Sequence, residues 1–379
     1  MNFELTREQS LLRDEIVRFS RQELNPGAAE RDRDQTFPKD LWRKCGEMRL
    51  QGLPVPEEQG GLGLDPLSTA LALEAFGYGC RDGGLVFSVC AHLLACVVPV
   101  WKYGSDDLKR KYLAKMCDGS LIAVNGMTEP SSGSDAFTMK TRAEPDGDGY
   151  RITGTKIMSS NAPAADVAIV YAMNTGAKGA IMGFLVEMNT PGVSCNQTFE
   201  KMGLRSSLLG EVVLENAYVP ASAVIGQPGG GAVMFNQSME WERICIGAAH
   251  IGTLQHLLET AIKYARTRRS AGKAIGKYQA VAHKIADMKI GLETARLLTY
   301  KAASRLGNAR DIGLDASMVK VYVSETLVKV ALDTVQVFGG YGFLTEYEVE
   351  RILRDSVGST LYSGANEVQR NIIGSWLGL

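Results

Sequence analysis

The sequence predicts an α+β protein with three consecutive domains. These are an N-terminal helical domain over residues 1–120, a central antiparallel β-barrel or sandwich domain over 121–230, and a C-terminal four-helix bundle over 231–379. Apolar residues recur at helical spacing in the first part, short β-prone runs alternate with turn signals in the second, and long helical stretches follow in the third. The 379 residues, 45% of them hydrophobic, are enough to form several packed cores.

The first domain is predicted from its helical periodicity. In "TREQSLLRDEIVRFSRQEL" the apolar residues follow three and four apart after Thr6, which is a typical N-cap. The most apolar run extends from Leu85 to Val98 and stops at Pro99. Because a membrane span needs about 20 residues, we interpret this run as a buried core helix.

The second and third domains are predicted from a change of pattern. The runs "GYRITGTKIM", "ADVAIVYAM", "AIMGFLVEM" and "GEVVLENAYVP" read as strands, with "PDGDG" and "TPG" as turns between them. After the glycine-rich junction "GQPGGG", helical stretches are expected at roughly 231–267, 278–306, 313–338 and 345–375. Four helices of this length are typical of a bundle.

Composition excludes several classes of function. The 41 basic and 42 acidic residues nearly cancel, so neither nucleic acid nor an anionic membrane is an expected partner. The seven cysteines form no CxxC pair, and the charged N-terminus is not a signal peptide, which favours a reduced, cytoplasmic protein. The four histidines are too scattered for a metal site, and neither a GxGxxG fingerprint nor a nucleophile elbow is present.

One carboxylate lies in an unusual place. Helical spacing through "FNQSMEWERICIGAAHIG" groups Phe235, Ser238, Glu242 and Ala249 on one small and apolar face. Glu242 either pairs with a cation across a helix interface, or it lies near a cavity in which a group must lose a proton. Glu240 is a second candidate, but it falls on a different face of the same helix.

Two strings in the β domain are specific. "NGMTEPSSGSDAFTMKTRA" (125–143) and "GTKIMSSNA" (154–162), together with "YARTRRSAGKAIGKYQAVAHKIADM", "QVFGGYGF" and "RDSVGSTLYSGANEVQR", resemble the acyl-CoA dehydrogenase family. Members of that family use FAD to desaturate a thioester between its α and β carbons. The resemblance implies FAD and a homotetramer in which the helical bundle of one subunit contributes to the flavin site of another.

The resemblance also implies a set of cofactor-binding residues. Backbone N–H groups and hydroxyls of a β segment suit the pyrimidine edge of a flavin, and an arginine fork suits its diphosphate. By themselves, Arg268 could equally be a solvated charge and Gly339 a helix cap. The expected cofactor-binding residues are Asn125, Met127, Thr128, Ser134, Met158, Ser159, Ser160 and Glu367 and, from a second subunit, Arg268, Gln279, Gln336, Gly339 and Gly340.

The catalytic base is expected at an uncommon position. In the commonest form of the family, a glutamate near the C-terminus removes the α-proton, but this chain has Ser363 there, and a serine hydroxyl is too weak a base. In enzymes that resemble isovaleryl-CoA and long-chain acyl-CoA dehydrogenases the base lies on a bundle helix, and "WERICIGAA" matches that string at Glu242. The substrate contacts are expected from Ser134, Arg243, Tyr362 and Ser363.

Some positions depart from the family pattern. Met158 replaces a common aromatic residue, Ala271 a common phenylalanine, and Ala365 a common threonine or serine. A non-catalytic homologue that acts as a scaffold therefore remains an alternative, and a purified protein without flavin would favour it.

The substrate is suggested by the finer resemblance. "GLVFSVCAHLLACVVPV", "SSNAPAAD", "MEWERICIGAAHIG" and "RDSVGSTLYSGANEVQ" look like the branch that acts on acyl groups tethered to carrier proteins, notably prolyl-carrier-protein dehydrogenases. A short branched-chain (isovaleryl-like) acyl-CoA dehydrogenase and a hydroxyacyl- or glyceryl-carrier-protein dehydrogenase are the alternatives. The electron acceptor is left open between an electron-transfer flavoprotein and dioxygen.

Overall fold

The computed structural model describes residues 4–176 and 180–379 and has the predicted order of domains. Thr6 caps the first helix as expected, because its hydroxyl accepts the Gln9 N–H at 3.2 Å while the Gln9 side chain accepts the Thr6 N–H at 3.0 Å. The N-terminal domain contains the helices α1 (Arg7–Phe19), α2 (Ala28–Asp34), α3 (Lys39–Glu47), α4 (Pro66–Gly79), α5 (Gly83–His92), α6 (Val98–Tyr103), α7 (Asp106–Leu108) and α8 (Ala114–Cys117).

The apolar run forms a longer helix than the sequence predicted. A π-helical turn, Leu93–Val97, joins α5 to α6, so the helical stretch covers Gly83–Tyr103 and continues through Pro99. The expected stop at Pro99 was wrong, because a π turn directly before the proline accommodates its missing N–H donor. Within residues 4–176 and 180–379 this one stretch is long and apolar enough to cross a membrane, but 83% of its apolar window is buried inside the protein.

The β domain is a mixed sheet. β1 (Ala123–Gly126) and β2 (Arg142–Asp146) both run parallel to β4 (Val167–Asn174), so the prediction of a purely antiparallel domain was wrong. Turn signals reveal hairpins, whereas parallel pairs join strands distant in sequence. The remaining strands are β3 (Gly149–Ser160), β5 (Ala180–Glu187), β6 (Val193–Ser194), β7 (Leu209–Pro220) and β8 (Val224–Ile225), and the order across the sheet is β6-β7-β3-β2-β4-β5-β8.

The bundle differs from the prediction in its last helix. Instead of one helix over 345–375, the chain forms two, separated by residues 359–365, in which Ser363 (φ 58°) and Gly364 (φ 86°) are left-handed. Two consecutive left-handed residues cannot continue an α-helix. The elements are α9 (Gly231–Thr267), β9 (Arg269–Ser270), β10 (Lys273–Ala274), α10 (Gln279–Arg305), α11 (Ile312–Phe338), α12 (Val349–Gly358) and α13 (Asn366–Trp376).

Helix α9 connects the three domains. It packs against α4, α5 and α6 of the N-terminal domain, β5 of the sheet, and α10 and α11 of the bundle. Its residues from Ser238 to Gly252 are almost all buried, which is the small and apolar face that the sequence indicated. A polar side chain on this face therefore lies at the centre of the molecule.

Candidate active site

A large cavity of about 760 Å³ lies where the three domains meet. Its wall comes from α5, from β1 and the loop after it, from β3, from residues 201–209, from α9, and from residues 354–372. The volume is within the range of small-molecule sites, which hold about 300 to 1,000 Å³. Glu242 lies in this wall.

Glu242 is buried and accepts a single side-chain hydrogen bond. Its side chain lines the cavity, 7% of the residue is exposed, and its Oε1 accepts the Ser363 hydroxyl at 2.5 Å. Burial raises the pKa of Glu242, while the hydrogen bond from Ser363 and the charge of Arg243 act in the opposite direction. Within the described part of the chain Glu242 has no ion-pair partner, which argues against the alternative of a structural ion pair.

Arg243, the residue after Glu242, binds the backbone of Ser363. Its Nε donates to the Ser363 carbonyl oxygen at 3.0 Å, and its guanidinium also lines the cavity. Arg243 is thus placed where the sequence predicted a substrate contact, although its identified hydrogen bond is to the protein. Its charge lies beside Glu242 without neutralising it through a direct contact.

Residues 359–366, which we call the Ser363 segment, are anchored from two helices. Lys320 of α11 donates to the Thr360 carbonyl at 2.9 Å and to the Asn366 side-chain oxygen at 2.5 Å. Gln369 of α13 donates to the Gly364 carbonyl at 3.2 Å. Burial and the neighbouring charge of Arg243 lower the pKa of Lys320 to about 8. These bonds fix the left-handed turn that directs the Ser363 hydroxyl toward Glu242.

Tyr362 makes a contact that the sequence analysis missed. Its hydroxyl is hydrogen-bonded to His250 Nε2 at 2.7 Å, and its ring packs on Phe87 with centroids 4.5 Å apart. Burial lowers the pKa of His250 to about 4, so this histidine is neutral and can accept the bond. Helical spacing places His250 on the same face as Glu242, because residues 242, 246 and 250 lie four apart, but it does not reveal the contact with Tyr362.

A second buried carboxylate shapes the loop beside the cavity. Glu129 accepts the Lys140 N–H at 2.6 Å, the Thr141 N–H at 2.9 Å and the Lys156 Nζ at 2.8 Å. Burial alone would raise the pKa of Glu129, but the ion pair with Lys156 and the hydrogen bonds outweigh it and lower the pKa to about 2. Glu129 therefore holds the loop 128–141 in shape. The sequence analysis used this glutamate only as part of a recognition string.

The predicted flavin residues of the β domain mostly line the large cavity. Those that do are Asn125, Met127, Thr128, Ser134, Met158 and Ser160. Ser159 is instead buried, with its hydroxyl directed to the Ile157 carbonyl at 3.4 Å, and Glu367 is exposed outside the cavity, so both remain predictions.

These lining residues fit a flavin. Met158 is 56% exposed and left-handed (φ 54°), and Phe137 and Met202 beside the same cavity are also exposed. Exposed apolar side chains in a cavity wall are suited to a flat ring system, and the hydroxyls of Thr128 and Ser134 can bond its polar edge.

The other predicted flavin residues lie elsewhere. Arg268, Gly339 and Gly340 line a separate groove of about 470 Å³ that shares no described lining residue with the large cavity. Both glycines face open space, and the Arg268 guanidinium lies 5.1 Å from the centre of the Tyr341 ring. Along α9, Arg268 is about 39 Å from Glu242.

The groove does not border the large cavity of its own chain. A diphosphate in the groove would therefore belong to a cofactor whose flavin ring lies in another subunit. A guanidinium and unencumbered backbone N–H groups suit a diphosphate, but one chain does not bring them to its own cavity. Gln279, at the start of α10, and Gln336, near the end of α11, are close in sequence to this end of the bundle but do not line the groove.

The described residues offer neither a disulfide nor a candidate metal-binding group near the cavity. All seven cysteines are free thiols, and no group of His, Cys, Asp and Glu side chains within 4–176 and 180–379 is arranged to hold a metal ion. A buried carboxylate of raised pKa in the wall of a cavity is suited to proton abstraction.

Comparison with known proteins gives the class. Family models match along the chain: the acyl-CoA dehydrogenase N-terminal domain at residues 6–120, the middle domain at 125–217 and the C-terminal domain at 229–378. The chain belongs to the acyl-CoA dehydrogenase family, which confirms the resemblance and the predicted fold class.

Individual proteins narrow the likeness. L-prolyl-[peptidyl-carrier protein] dehydrogenase of Serratia sp. is 40% identical over 381 residues, covering 100% of this chain and 99% of the relative. The solved structure of PigA with FAD and proline is similar with a TM-score of 0.97 and 39% identity over 100% of both chains. The prolyl acyl carrier protein oxidase AnaB has a TM-score of 0.96 and 40% identity, over 99% of this chain and 100% of AnaB.

Proposed function

We propose that this protein catalyses FAD-dependent α,β-dehydrogenation of a prolyl group, or a similar small aminoacyl group, held as a thioester on a peptidyl carrier protein. The observation that carries the chemistry is the Glu242 carboxylate, buried in the cavity wall with a raised pKa and one hydroxyl donor. The names of the Serratia relative and of AnaB, and the proline bound to PigA, support the acyl group.

Glu242 removes the α-proton in this mechanism. Its burial strengthens it as a base, and the Ser363 hydroxyl keeps its carboxylate in one orientation. Negative charge then develops on the thioester oxygen, where the Arg243 charge and a backbone N–H of the Ser363 segment stabilise it. Bound FAD supplies the acceptor for the hydride that leaves the β-carbon.

The cofactor site is completed by a second copy of the chain. Thr128, Ser134, Met158 and Ser160 line the large cavity, where they would hold the flavin ring. The groove with Arg268, Gly339 and Gly340 would hold the diphosphate of a neighbouring subunit's FAD, because within one chain the groove and the cavity share no described lining residue. This arrangement requires an oligomer, and we propose the homotetramer common in the family, acting in the cytoplasm.

Two thioesters test the proposal. The purified protein is incubated without oxygen with prolyl-loaded carrier protein and, separately, with isovaleryl-CoA, and both flavin bleaching and the mass of the acyl group are measured. Bleaching with loss of hydrogen from the prolyl group alone is the expected result. Faster bleaching with isovaleryl-CoA would favour the branched-chain alternative, which the position of the base on a bundle helix also suits.

Two further arms cover the remaining alternatives. Glyceryl-loaded carrier protein tests for a hydroxyacyl substrate, and a protein that is colourless and takes up no added FAD would indicate the scaffold. Reoxidation of the bleached enzyme by dioxygen or by an electron-transfer flavoprotein identifies the electron acceptor.

A further inference from the structure

The large cavity shares a wall with a second, smaller chamber. This chamber of about 50 Å³ lies between α4, α5, α9 and α12, and apolar side chains such as Val86, Ile246, Leu327 and Ile352 line much of it. The residues that line both spaces, which we call the shared wall, are Phe87, Leu204, Asp355 and Tyr362.

The shared wall consists of two contacting pairs. The rings of Phe87 and Tyr362 pack with centroids 4.5 Å apart, and the Leu204 N–H donates to the Asp355 carboxylate at 2.5 Å. The position of the boundary between the two spaces therefore depends on how these residues are held. Tyr362 contributes the largest movable group, because its ring can rotate about the Cα–Cβ bond.

His250 holds the Tyr362 ring from the chamber side. The histidine lines the chamber but not the large cavity, and its Nε2 is hydrogen-bonded to the Tyr362 hydroxyl at 2.7 Å. Tyr362 directly precedes Ser363, whose hydroxyl bonds Glu242. The shared wall therefore lies beside the proposed base, where the acyl group of a substrate must enter.

We propose that the shared wall, held in place by the hydrogen bond between Tyr362 and His250, sets the largest acyl group that the site accepts. The inference rests on the proposed function, because it needs a thioester whose α-carbon reaches Glu242. Tyr362 is then the residue that determines specificity, and His250 is a positioning residue that acts through it. The apolar chamber is the space that a longer, unbranched acyl chain would occupy once the wall is opened.

The test is a change in chain-length preference. Wild type, Tyr362→Ala and His250→Leu, each loaded with FAD, are compared with butanoyl- and hexanoyl-pantetheine, and kcat/KM is measured for both. A pocket that gains or loses room for one methylene changes discrimination about 10- to 200-fold. Tyr362→Ala should therefore raise the hexanoyl-to-butanoyl ratio at least about tenfold, and His250→Leu should raise it less. Tyr218→Phe, a tyrosine at the surface of the β domain hydrogen-bonded to Asp148, should leave the ratio unchanged.

The result that overturns the inference is an unchanged ratio. If both variants bind FAD and desaturate the butanoyl group with the wild-type ratio, the wall does not limit the acyl group. If Tyr362→Ala does not fold, His250→Leu, which keeps the tyrosine ring, decides alone.

A binding measurement separates this inference from the proposed function. Unreactive S-butyl- and S-hexyl-pantetheine are titrated by calorimetry, which reports the available space without any chemistry. A tighter S-hexyl complex in Tyr362→Ala than in wild type supports the shared wall even if no thioester is desaturated, an outcome that would refute only the proposed activity. Equal affinities of wild type and variant for S-hexyl-pantetheine would refute the shared wall.

Discussion

Two carboxylates beside the large cavity are both shielded from solvent, but their pKa values shift in opposite directions. Glu129, in the loop after β1, is 4% exposed, and Glu242, on α9, is 7% exposed. The pKa of Glu129 is lowered to about 2, whereas the pKa of Glu242 is raised. Burial disfavours the charge of both, and more strongly that of Glu242, which lies deeper in the protein, but burial alone would raise both pKa values.

The difference lies in their partners. Glu129 accepts hydrogen bonds from two backbone N–H groups and from the ammonium of Lys156, so its negative charge is compensated by direct contacts. Glu242 accepts one hydroxyl, and the neighbouring Arg243 is bonded to a carbonyl instead. The charge of Glu129 is compensated by its partners, so this carboxylate stabilises the loop. The carboxylate of Glu242 keeps unused lone pairs in a buried position and is suited to accept a proton.

The sharpest way to break this comparison is to neutralise Glu242. In Glu242→Gln the rate of anaerobic flavin bleaching by the acyl thioester should fall about 10²- to 10⁴-fold, because the general base is lost. The thermal midpoint should change little. Glu240→Gln is the matched control on another face of the same helix, and it should bleach at close to the wild-type rate. A variant at 242 that bleaches normally with FAD bound would remove Glu242 from the mechanism.

Neutralising Glu129 should have its effect on stability instead. Glu129→Gln leaves the buried Lys156 ammonium without its partner, and breaking such a pair costs about 3 to 5 kcal/mol in the free energy of unfolding. Urea denaturation measures the loss, and Glu215→Gln on the exposed part of β7 should stay within about 0.5 kcal/mol of wild type. Equal destabilisation by Glu129→Gln and Glu215→Gln would contradict the structural role of Glu129.

The two carboxylates should titrate on opposite sides of the ordinary glutamate pKa. The pKa of Glu129 in the folded protein is below that of an unfolded glutamate, about 4.3, so its contribution to stability is present above that value and is lost as the pH falls toward about 2. The stability difference between wild type and Glu129→Gln should shrink over this range. The bleaching rate should rise with pH through a midpoint above the ordinary glutamate value, because Glu242 must be ionised to act. A midpoint at or below the ordinary glutamate value would show that the pKa of Glu242 is not raised.

The smallest expected effect comes from the hydrogen bond to Glu242. Ser363→Ala removes a donor that lowers the pKa of Glu242, so the midpoint of the bleaching rate should move to higher pH, with a loss of about 2- to 10-fold in rate near neutrality. Ser359→Ala is the control, because Ser359 lies in the same segment and bonds the Ser356 carbonyl. An unchanged midpoint in Ser363→Ala would show that the Ser363 hydroxyl does not affect the pKa of Glu242.

The sequence predicted what depends on local pattern. Glu242 could be singled out because a charge interrupts an apolar stripe at helical spacing, and the burial of this face followed from the same periodicity. The role of Glu129 could not be seen, because Lys156 lies 27 residues away on β3 and only the fold brings the two together. The contact between Tyr362 and His250 spans 112 residues and was hidden for the same reason.

The Ser363 segment shows a different limit. Apolar periodicity continues across residues 345–375, and only Gly364 marked a break in the predicted helix. Serine rarely adopts a left-handed conformation, so nothing local announced the turn at Ser363. The turn is fixed by Lys320, Arg243 and Gln369, which come from other helices. The flavin residues at the end of the bundle were likewise named by resemblance. A single chain does not bring them to the large cavity.

The apolar helical stretch Gly83–Tyr103 has a consequence for synthesis of the protein. Its partner α9 begins only at Gly231, so the ribosome must add the entire β domain before the surface that covers this stretch exists. At 5 to 20 residues per second, the nascent chain exposes a membrane-like helix for roughly 6 to 26 s. During that interval it resembles a targeting signal, so ribosome-associated chaperones are expected to shield it until translation reaches the bundle.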